Sequence, residues 1–187
     1  MTMPDKNILD LKVLISEEEI QNKLKIIAKQ VEEIFPADED IYVICVLKGS
    51  VMFCIDLVKH FKHNVQMEFI RISSYGHETK STNNLQAIDL TLPNLEGKNV
   101  LIVEDIIDTG LTARFLTDLF KIKHHPQKVI FVSLLNKKCA RQVDIEPDFY
   151  GFEIDDKFVV GYGLDYKGYY RNLPYIGYFP PPINYGT

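Results

Sequence analysis

Several features are scarce in this 187-residue chain, and each scarcity excludes a class of protein. Three cysteines without a CxxC pair argue against a disulfide framework or a zinc site, and Cys45 and Cys54 lie inside apolar runs, where we expect buried, reduced thiols. The longest apolar runs, 41–47 and 51–55, are far shorter than the ~20 residues that span a bilayer. The first ten residues lack a basic start followed by an apolar stretch. We therefore expect no signal peptide and no membrane partner, and we predict a cytoplasmic protein.

Positive charge is not in excess either. Lys and Arg number 21 against 26 Asp and Glu, which gives a formal net charge of −5. General nucleic-acid binders usually carry a basic excess, so this balance argues against nucleic acid as a partner. An acidic chain can still bind a small polyanion, but its binding site then needs local groups that favour anions. With 46% hydrophobic and 25% charged residues, the composition fits one globular domain and excludes a disordered chain.

Strands and helices alternate along the sequence. Ser16 and Glu19 match a capping box that opens a helix, and Pro36 ends the apolar stripe that follows. Continuous apolar runs predict buried strands at 41–47, 99–103 and 129–135. A helix is predicted at 51–61, with Val51, Cys54, Ile55 and Val58 on its buried face, and another after residue 112, closed by residues 124–126. This alternation predicts a parallel sheet covered by helices on both faces, with ligands at the carboxyl ends of its strands.

The sequence also predicts a long polar loop. We expect a strand over 66–72, a loop over 73–85 and a weak strand over 86–90. A structureless loop of that length is often functional in a compact domain, and an active-site lid is one such function.

Residues 103–112, VEDIIDTGLT, carry the clearest chemistry in the chain. Three carboxylates are followed by small or hydroxyl-bearing residues at a helix start: Glu104, Asp105, Asp108, Thr109, Gly110 and Thr112. Backbone N–H groups at a helix start bind anions, yet three carboxylates repel a phosphate. The conflict resolves if the carboxylates face sugar hydroxyls or a Mg²⁺ held by the ligand. The alternative is that Asp108 or Thr109 only caps the helix, but solvated acids are expensive at the end of so apolar a strand.

The pattern over 102–112 is two hydrophobic residues, two acids, two hydrophobic residues and Asp-Thr-Gly-x-Thr. It resembles the phosphoribosyl pyrophosphate motif of type I phosphoribosyltransferases. Further motifs resemble the hypoxanthine-guanine branch: Leu47-Lys48-Gly49, Ser74-Tyr75-Gly76, Phe158-Val159 and Leu164-Asp165-Tyr166. The resemblance covers nearly the whole chain and implies an α/β, type I phosphoribosyltransferase fold. It implies one domain over 1–187, in which the terminal segments form a small hood beside the sheet.

The resemblance also implies roles for individual residues around phosphoribosyl pyrophosphate. The 5′-phosphate is gripped by Thr109, Gly110, Leu111 and Thr112. The ribose hydroxyls and Mg²⁺ are faced by Glu104 and Asp105, with Asp165 as a second Mg²⁺ contact. The pyrophosphate is approached by Lys48, by Gly49 with its open backbone, and by Arg171. In the family the peptide that matches Leu47–Lys48 can be cis. Ser74 and Tyr75 match the tip of the mobile loop.

The remaining implied roles concern the purine. Asp108 accepts the proton from the base, Phe158 stacks on it, and Val159 offers its backbone to the pyrimidine edge. Lys137 matches the residue that reads purine O6, and an ammonium group, which has only donors, favours a 6-oxo group over the 6-amino group of adenine. Each has a plainer alternative: Lys137 as a surface lysine, Phe158 as a core aromatic and Arg171 as a surface arginine.

The function so implied is purine salvage, in which phosphoribosyl pyrophosphate and a 6-oxopurine give a nucleotide and pyrophosphate. Two alternatives remain open: a xanthine-preferring enzyme, and a regulator that keeps the fold to sense phosphoribosyl pyrophosphate. The family commonly forms dimers or tetramers. Because the acids outnumber the bases around a polyanionic ligand, the resemblance also predicts strict dependence on Mg²⁺.

Overall fold

The computed structural model describes residues 10–75, 84–88 and 92–180. The elements follow in this order: β1 (Lys12–Ile15), α1 (Glu17–Glu32), β2 (Ile41–Leu47), α2 (Val51–Val58), β3 (Val65–Tyr75), β4 (Asn84–Ile88), β5 (Asn99–Ile107), α3 (Leu111–Lys123), β6 (Lys128–Asn136), β7 (Phe149–Glu153), β8 (Val159–Val160) and β9 (Ile176–Tyr178). No helix among the described residues is long and apolar enough to cross a membrane.

A six-stranded sheet forms the centre of the molecule. Its strand order is β4-β3-β2-β5-β6-β7, and every neighbouring pair is parallel except β3 and β4. Alternate residues of the central strands face opposite layers: one layer buries α1 and α2, and the other buries α3. The α/β fold with a parallel sheet between two helical layers is thus confirmed.

Local sequence signals explain where the first elements begin. The Ser16 hydroxyl accepts a hydrogen bond from the Glu19 N–H at 3.3 Å, and the Ser16 N–H donates to the Glu19 carboxylate at 2.8 Å, so the predicted capping box is present. Cys45 and Cys54 are buried free thiols, as predicted. Strands β2 and β5 are almost wholly buried, which fits their continuous apolar runs.

Helix α2 differs from its prediction in length and in orientation. It ends at Val58, and its buried residues are Phe53, Cys54 and Leu57, whereas Ile55 is 39% exposed. Seven of its eight residues are apolar, so the sequence has no polar face that could orient it.

The polar loop is shorter than predicted. Strand β3 continues to Tyr75, and β4 begins at Asn84, so the backbone of 73–75 pairs with that of 84–86 in an antiparallel ladder. The middle of the predicted lid, residues 76–83, lies outside the described residues.

A second, three-stranded sheet has the order β1-β9-β8. It pairs β1 with β9 and β9 with β8, both antiparallel, and so brings the N-terminal and C-terminal segments together. This is the arrangement expected of the hood. That the whole chain forms one domain stays a prediction.

Candidate active site

A cavity of about 430 Å³ opens where β2 and β5 end. Seven of the residues predicted to bind substrate or metal line it: Lys48, Gly49, Glu104, Asp105, Thr112, Asp165 and Arg171. They come from three separate parts of the chain, and the parallel pairing of β2 with β5 brings the first two parts side by side. The cavity therefore lies at the edge of the sheet where the rule for parallel strands predicts a ligand site.

Strand β2 ends at a tightly packed turn. The Leu47–Lys48 peptide is cis, as the resemblance implied. A Cβ atom on Gly49 would lie 1.7 Å from Oδ2 of Asp105, so no larger residue fits against that carboxyl group. On the other side, a Cβ atom on Gly163 would lie 2.0 Å from the Gly49 carbonyl oxygen. At this turn the glycine backbones thus approach other groups of the protein closely, independently of any ligand.

Two carboxyl groups of the site lie on β5, which continues to Ile107 instead of ending at residue 103 as predicted. Glu104 is 6% exposed, and its burial raises its pKa well above the usual value, with repulsion from Asp105 and Asp108 adding to the effect. Burial also raises the pKa of Asp105 to about 6, although backbone N–H groups and Arg171 oppose the increase. This pair of acids therefore lacks compensating positive charge.

Asp165 and Arg171 face the same cavity and bind each other. Nη2 of Arg171 lies 2.6 Å from Oδ1 of Asp165, and Nη1 donates to the Gly163 carbonyl oxygen at 2.6 Å. Oδ2 of Asp165 accepts a hydrogen bond from the Gly168 N–H at 2.7 Å. Arg171 is therefore not an ordinary surface arginine, because its hydrogen bonds hold together the segment that carries Asp165 at the cavity.

The donor set of the cavity fits a magnesium ion that arrives with a phosphate ligand. Within the described ranges no group of three His, Cys, Asp or Glu side chains could hold a metal ion by itself. Mg²⁺ usually takes only one or two carboxylates and completes its shell with water and substrate phosphates. Glu104, Asp105 and Asp165 line one cavity and are acidic oxygen donors, and the raised pKa values of the first two indicate a local need for positive charge.

The loop after β5 leads directly into α3. Gly110 is its N-cap residue, with φ at +81°, so neither Asp108 nor Thr109 is the N-cap residue itself, although the Thr109 hydroxyl accepts from the first N–H of the helix. The Thr109 N–H donates to Oδ1 of Asp108 at 2.5 Å, and the Leu111 N–H donates to the Thr109 hydroxyl at 3.4 Å. Asp108 is exposed to solvent.

The residues expected to bind the purine lie outside the 430 Å³ cavity. Lys137 follows β6, and its ammonium group pairs with Asp156 at 2.7 Å and donates to the Lys157 carbonyl oxygen at 3.3 Å. Its side chain is only 15% exposed, which argues against an ordinary surface lysine. Phe158 is 61% exposed, so it is not a core aromatic residue, and its ring meets the Tyr166 ring edge-on, 5.8 Å between centroids.

The other predicted residues are placed as follows. Val159 is buried in β8, next to Phe158 in the chain. Ser74 and Tyr75 are the last two residues of β3, and they pair with Leu85 and Asn84. The structure thus gathers the pyrophosphate-side residues, the metal-side residues and Thr112 in one cavity. The cavity lining does not include the other 5′-phosphate residues, Thr109, Gly110 and Leu111, or the base-side residues.

Sequence reasoning missed several residues that hold the site together. Gly163 supports the β2 turn, and Tyr162 donates a hydrogen bond to Asp56 on α2 at 2.8 Å. Arg141 donates from Nε to the Asp108 carbonyl oxygen at 3.0 Å. These contacts join residues 33 to 114 positions apart in the chain, and periodicity and local motifs carry no signal for such pairs.

Comparison with known proteins identifies the family. The phosphoribosyl transferase domain family matches residues 16–167. The hypoxanthine-guanine phosphoribosyltransferase of Bacillus subtilis (strain 168) is 45% identical over 176 residues, which is 92% of this chain and 94% of that protein. The chain belongs to the phosphoribosyltransferase family, in its hypoxanthine-guanine branch.

Solved structures agree with this assignment. A hypoxanthine-guanine phosphoribosyltransferase from Bacillus anthracis, crystallised with a HEPES molecule in its active site, is 47% identical and superposes with a TM-score of 0.84. The alignment covers 89% of this chain and 97% of the Bacillus anthracis chain. The hypoxanthine phosphoribosyltransferase of Trypanosoma cruzi, in complex with the product IMP, is 36% identical, with a TM-score of 0.85 over 96% of this chain and 100% of its own. The phosphoribosyltransferase fold inferred from residues 102–112 is therefore confirmed.

Proposed function

We propose that the protein transfers the 5-phosphoribosyl group of phosphoribosyl pyrophosphate to N9 of hypoxanthine, giving inosine monophosphate and pyrophosphate. Guanine is the second proposed substrate, and the role is purine salvage. The observation that carries the proposal is the single cavity where cationic, acidic and glycine backbone groups from three parts of the chain converge. The relatives support it, since they are named for hypoxanthine and guanine and one neighbour holds IMP.

The phosphate ends of the substrate have suitable partners at the two strand ends. The N–H groups at the start of α3, with the Thr109 and Thr112 hydroxyls, suit the 5′-phosphate, helped by the helix dipole. The Lys48 ammonium, the open backbone of Gly49 and the Arg171 guanidinium suit the pyrophosphate. These groups neutralise the charge that develops on pyrophosphate as it leaves.

Mg²⁺ is the proposed cofactor, and Glu104, Asp105 and Asp165 are its proposed contacts. Bound there, the ion would supply positive charge to the leaving pyrophosphate. Without it, two buried carboxyl groups with raised pKa values face a polyanion. Within this arrangement, the carboxyl groups of the chain also hold the ribose hydroxyls and suit the positive charge that develops on the ribose.

The base-side residues define the proposed substrate class. Lys137 has one ammonium donor left beyond Asp156 and the Lys157 carbonyl, and that donor matches a 6-oxo group. Phe158 presents an exposed ring for stacking, which is worth ~1–3 kcal/mol per base. The backbone of Val159 reads the pyrimidine edge. Asp108 is exposed at the start of the loop 108–112, which we call the phosphate loop, and it accepts the proton that the purine loses.

We also infer that the protein works in the cytoplasm as a homodimer or homotetramer, with small-molecule substrates and no nucleic-acid or membrane partner. Exposed apolar side chains on α2 and β3, namely Met52, Ile55 and Phe69, support self-association. The lid role remains part of the proposal, with Ser74 and Tyr75 at its base on β3.

The experiment that tests the proposal follows the product and the proposed base together. Purified protein with Mg²⁺, phosphoribosyl pyrophosphate and hypoxanthine should form inosine monophosphate, and Asp108→Asn should reduce kcat by ~10²–10⁴-fold, the usual range for lost acid–base catalysis. The Kd for inosine monophosphate should change only a few-fold, because Asp108 contributes a proton acceptor and not a phosphate contact. A wild-type rate in Asp108→Asn would remove Asp108 from the mechanism.

A further inference from the structure

Three successive carbonyl groups, that of Ile107 at the end of β5 and those of Asp108 and Thr109 in the phosphate loop (residues 108–112), accept hydrogen bonds from one segment of the chain. The Ile107 carbonyl accepts from the Lys137 N–H at 2.9 Å, and the Thr109 carbonyl accepts from the Gln142 N–H at 2.9 Å. Between them, the Asp108 carbonyl accepts from Nε of Arg141 at 3.0 Å. All three donors belong to the segment 137–142, which follows β6.

Holding these carbonyls fixes the N–H groups of the next residues. The three peptides are trans, and in a planar trans peptide the N–H points opposite to the C=O. The N–H groups of Asp108, Thr109 and Gly110 therefore point away from 137–142, on the other side of the loop. Successive N–H groups on one side of a turn suit an anion. The Thr109 N–H already donates to a carboxylate oxygen, that of Asp108.

Arg141 is the only side chain among the three donors, and it is itself held firmly. Its side chain is 12% exposed, and it also donates to the Ile145 carbonyl and, at 2.5 Å, to the Asn136 side-chain oxygen. Asn136 is fully buried and donates to Glu146 at 3.0 Å. Three of the five guanidinium N–H groups thus donate to protein groups, and Nη1 also lies 3.7 Å from Oε1 of Glu146, an exposed carboxylate that shares the positive charge with the loop.

We propose that Arg141 is a positioning residue for the 5′-phosphate: it turns the Asp108–Thr109 peptide so that its N–H faces the phosphate, and it adds positive charge behind that peptide. This inference rests on the proposed function, because it takes the 108–112 loop as the 5′-phosphate site. Arg141 does not touch the substrate. Without its donor the Asp108 carbonyl is free to rotate toward the phosphate side, where it repels the anion.

The test compares ligands that differ only in the 5′-phosphate. Kd values for inosine monophosphate and for inosine are measured by calorimetry with the full chain, for wild type and for Arg141→Met. We expect a ~10–100-fold weaker Kd for inosine monophosphate in Arg141→Met, the range for a lost charge-assisted hydrogen bond, and an unchanged Kd for inosine. The KM for phosphoribosyl pyrophosphate should rise in parallel, with the KM for hypoxanthine unchanged.

Arg114→Met is the matched control. Arg114 lies on α3 and also donates from its guanidinium to a carbonyl of the neighbouring segment, but that carbonyl belongs to Asp144 and not to residues 108–112. It should bind both ligands as wild type does. Equal losses for inosine monophosphate and inosine in Arg141→Met would show a merely structural role and overturn the proposal.

Arg141→Lys provides the second variant, because it keeps the charge and is the milder change to a buried position. One ammonium group is too compact to reach Asp108, Asn136 and Ile145 together, so the loss specific to the phosphate should persist in part. Wild-type affinity for inosine monophosphate in Arg141→Lys would show that charge alone matters and would overturn the orienting role. Failure of the wild type to bind inosine monophosphate would instead count against the proposed function.

Discussion

The buried acid Asp105 gives the sharpest test of the electrostatics of the site. Its pKa rises from the ordinary value of 3.8 to about 6, chiefly because burial disfavours the charged form. A carboxyl group whose pKa is raised by folding favours the folded state fully below its ordinary pKa. That contribution is lost as the pH rises through the folded pKa of about 6. The metal-free protein should therefore lose stability between about pH 4 and pH 7.

The size of this loss follows from the two pKa values. A tenfold change in acidity corresponds to ~1.4 kcal/mol, so the increase from 3.8 to about 6 corresponds to at most about 3 kcal/mol, given that Asp105 keeps partial exposure in the cavity. Asp105→Asn carries no ionisable group there. The difference in unfolding free energy between variant and wild type should be small at pH 4 and grow to at most about 3 kcal/mol at pH 8. In a domain of this size that equals a Tm increase of roughly 6–12 °C.

The assay is urea unfolding followed by circular dichroism at several pH values from 4 to 8, with a chelator present to keep the protein free of metal. Asp118→Asn, which changes an exposed carboxyl group on α3, is the control and should show no such pH-dependent gain. The reasoning is refuted if Asp105→Asn is no more stable than wild type at pH 8, or if its gain is the same at pH 4 and pH 8.

Two further predictions concern the strand ends. Gly49→Ala places a Cβ atom 1.7 Å from the Asp105 carboxylate, so it should displace the pyrophosphate turn and lower kcat/KM by about 100-fold, the usual effect of a misplacement near 1 Å; full activity would show that the turn can relax. Lys137→Met should lower kcat/KM for hypoxanthine by ~10–100-fold, with no decrease in kcat/KM for adenine. The control is Lys138→Met, because Lys138 pairs with Glu153 at 3.0 Å, and it should match wild type. Equal base preference in both lysine variants would remove Lys137 from recognition of the base and leave it only its pairing with Asp156.

The parts of the fold that sequence predicted correctly are those with local physical causes. The Ser16–Glu19 capping box fixes the start of α1, and the length and β-branched content of the apolar run 41–47 favour a strand buried on both faces. The motif over 102–112 placed its acids and its helix start at the correct edge of the sheet, because both belong to one continuous segment. Its exact strand boundary was wrong, since pairing with β6 extends β5 to Ile107.

The parts that sequence did not predict depend on contacts between distant segments. The apolar helix α2 could not be oriented without the layer that it packs against. Gly49 appeared as an open backbone for a ligand, but the Asp105 carboxylate is what fills the space of its missing side chain. Arg141 looked like any arginine in a polar segment, because its partners at Asn136 and Asp108 face it only once β5 and β6 are paired.

The central claim, transfer of phosphoribosyl to a 6-oxopurine, is tested most directly by initial rates with four purines. Hypoxanthine, guanine, xanthine and adenine are each supplied with phosphoribosyl pyrophosphate, with and without Mg²⁺. The account predicts nucleotide formation with hypoxanthine and guanine only when Mg²⁺ is present, and at most a trace with adenine. Faster turnover of xanthine than of hypoxanthine would reassign the enzyme's substrate. No nucleotide from any of the four, in protein that binds phosphoribosyl pyrophosphate, would contradict the claim and favour a regulator that senses this ligand.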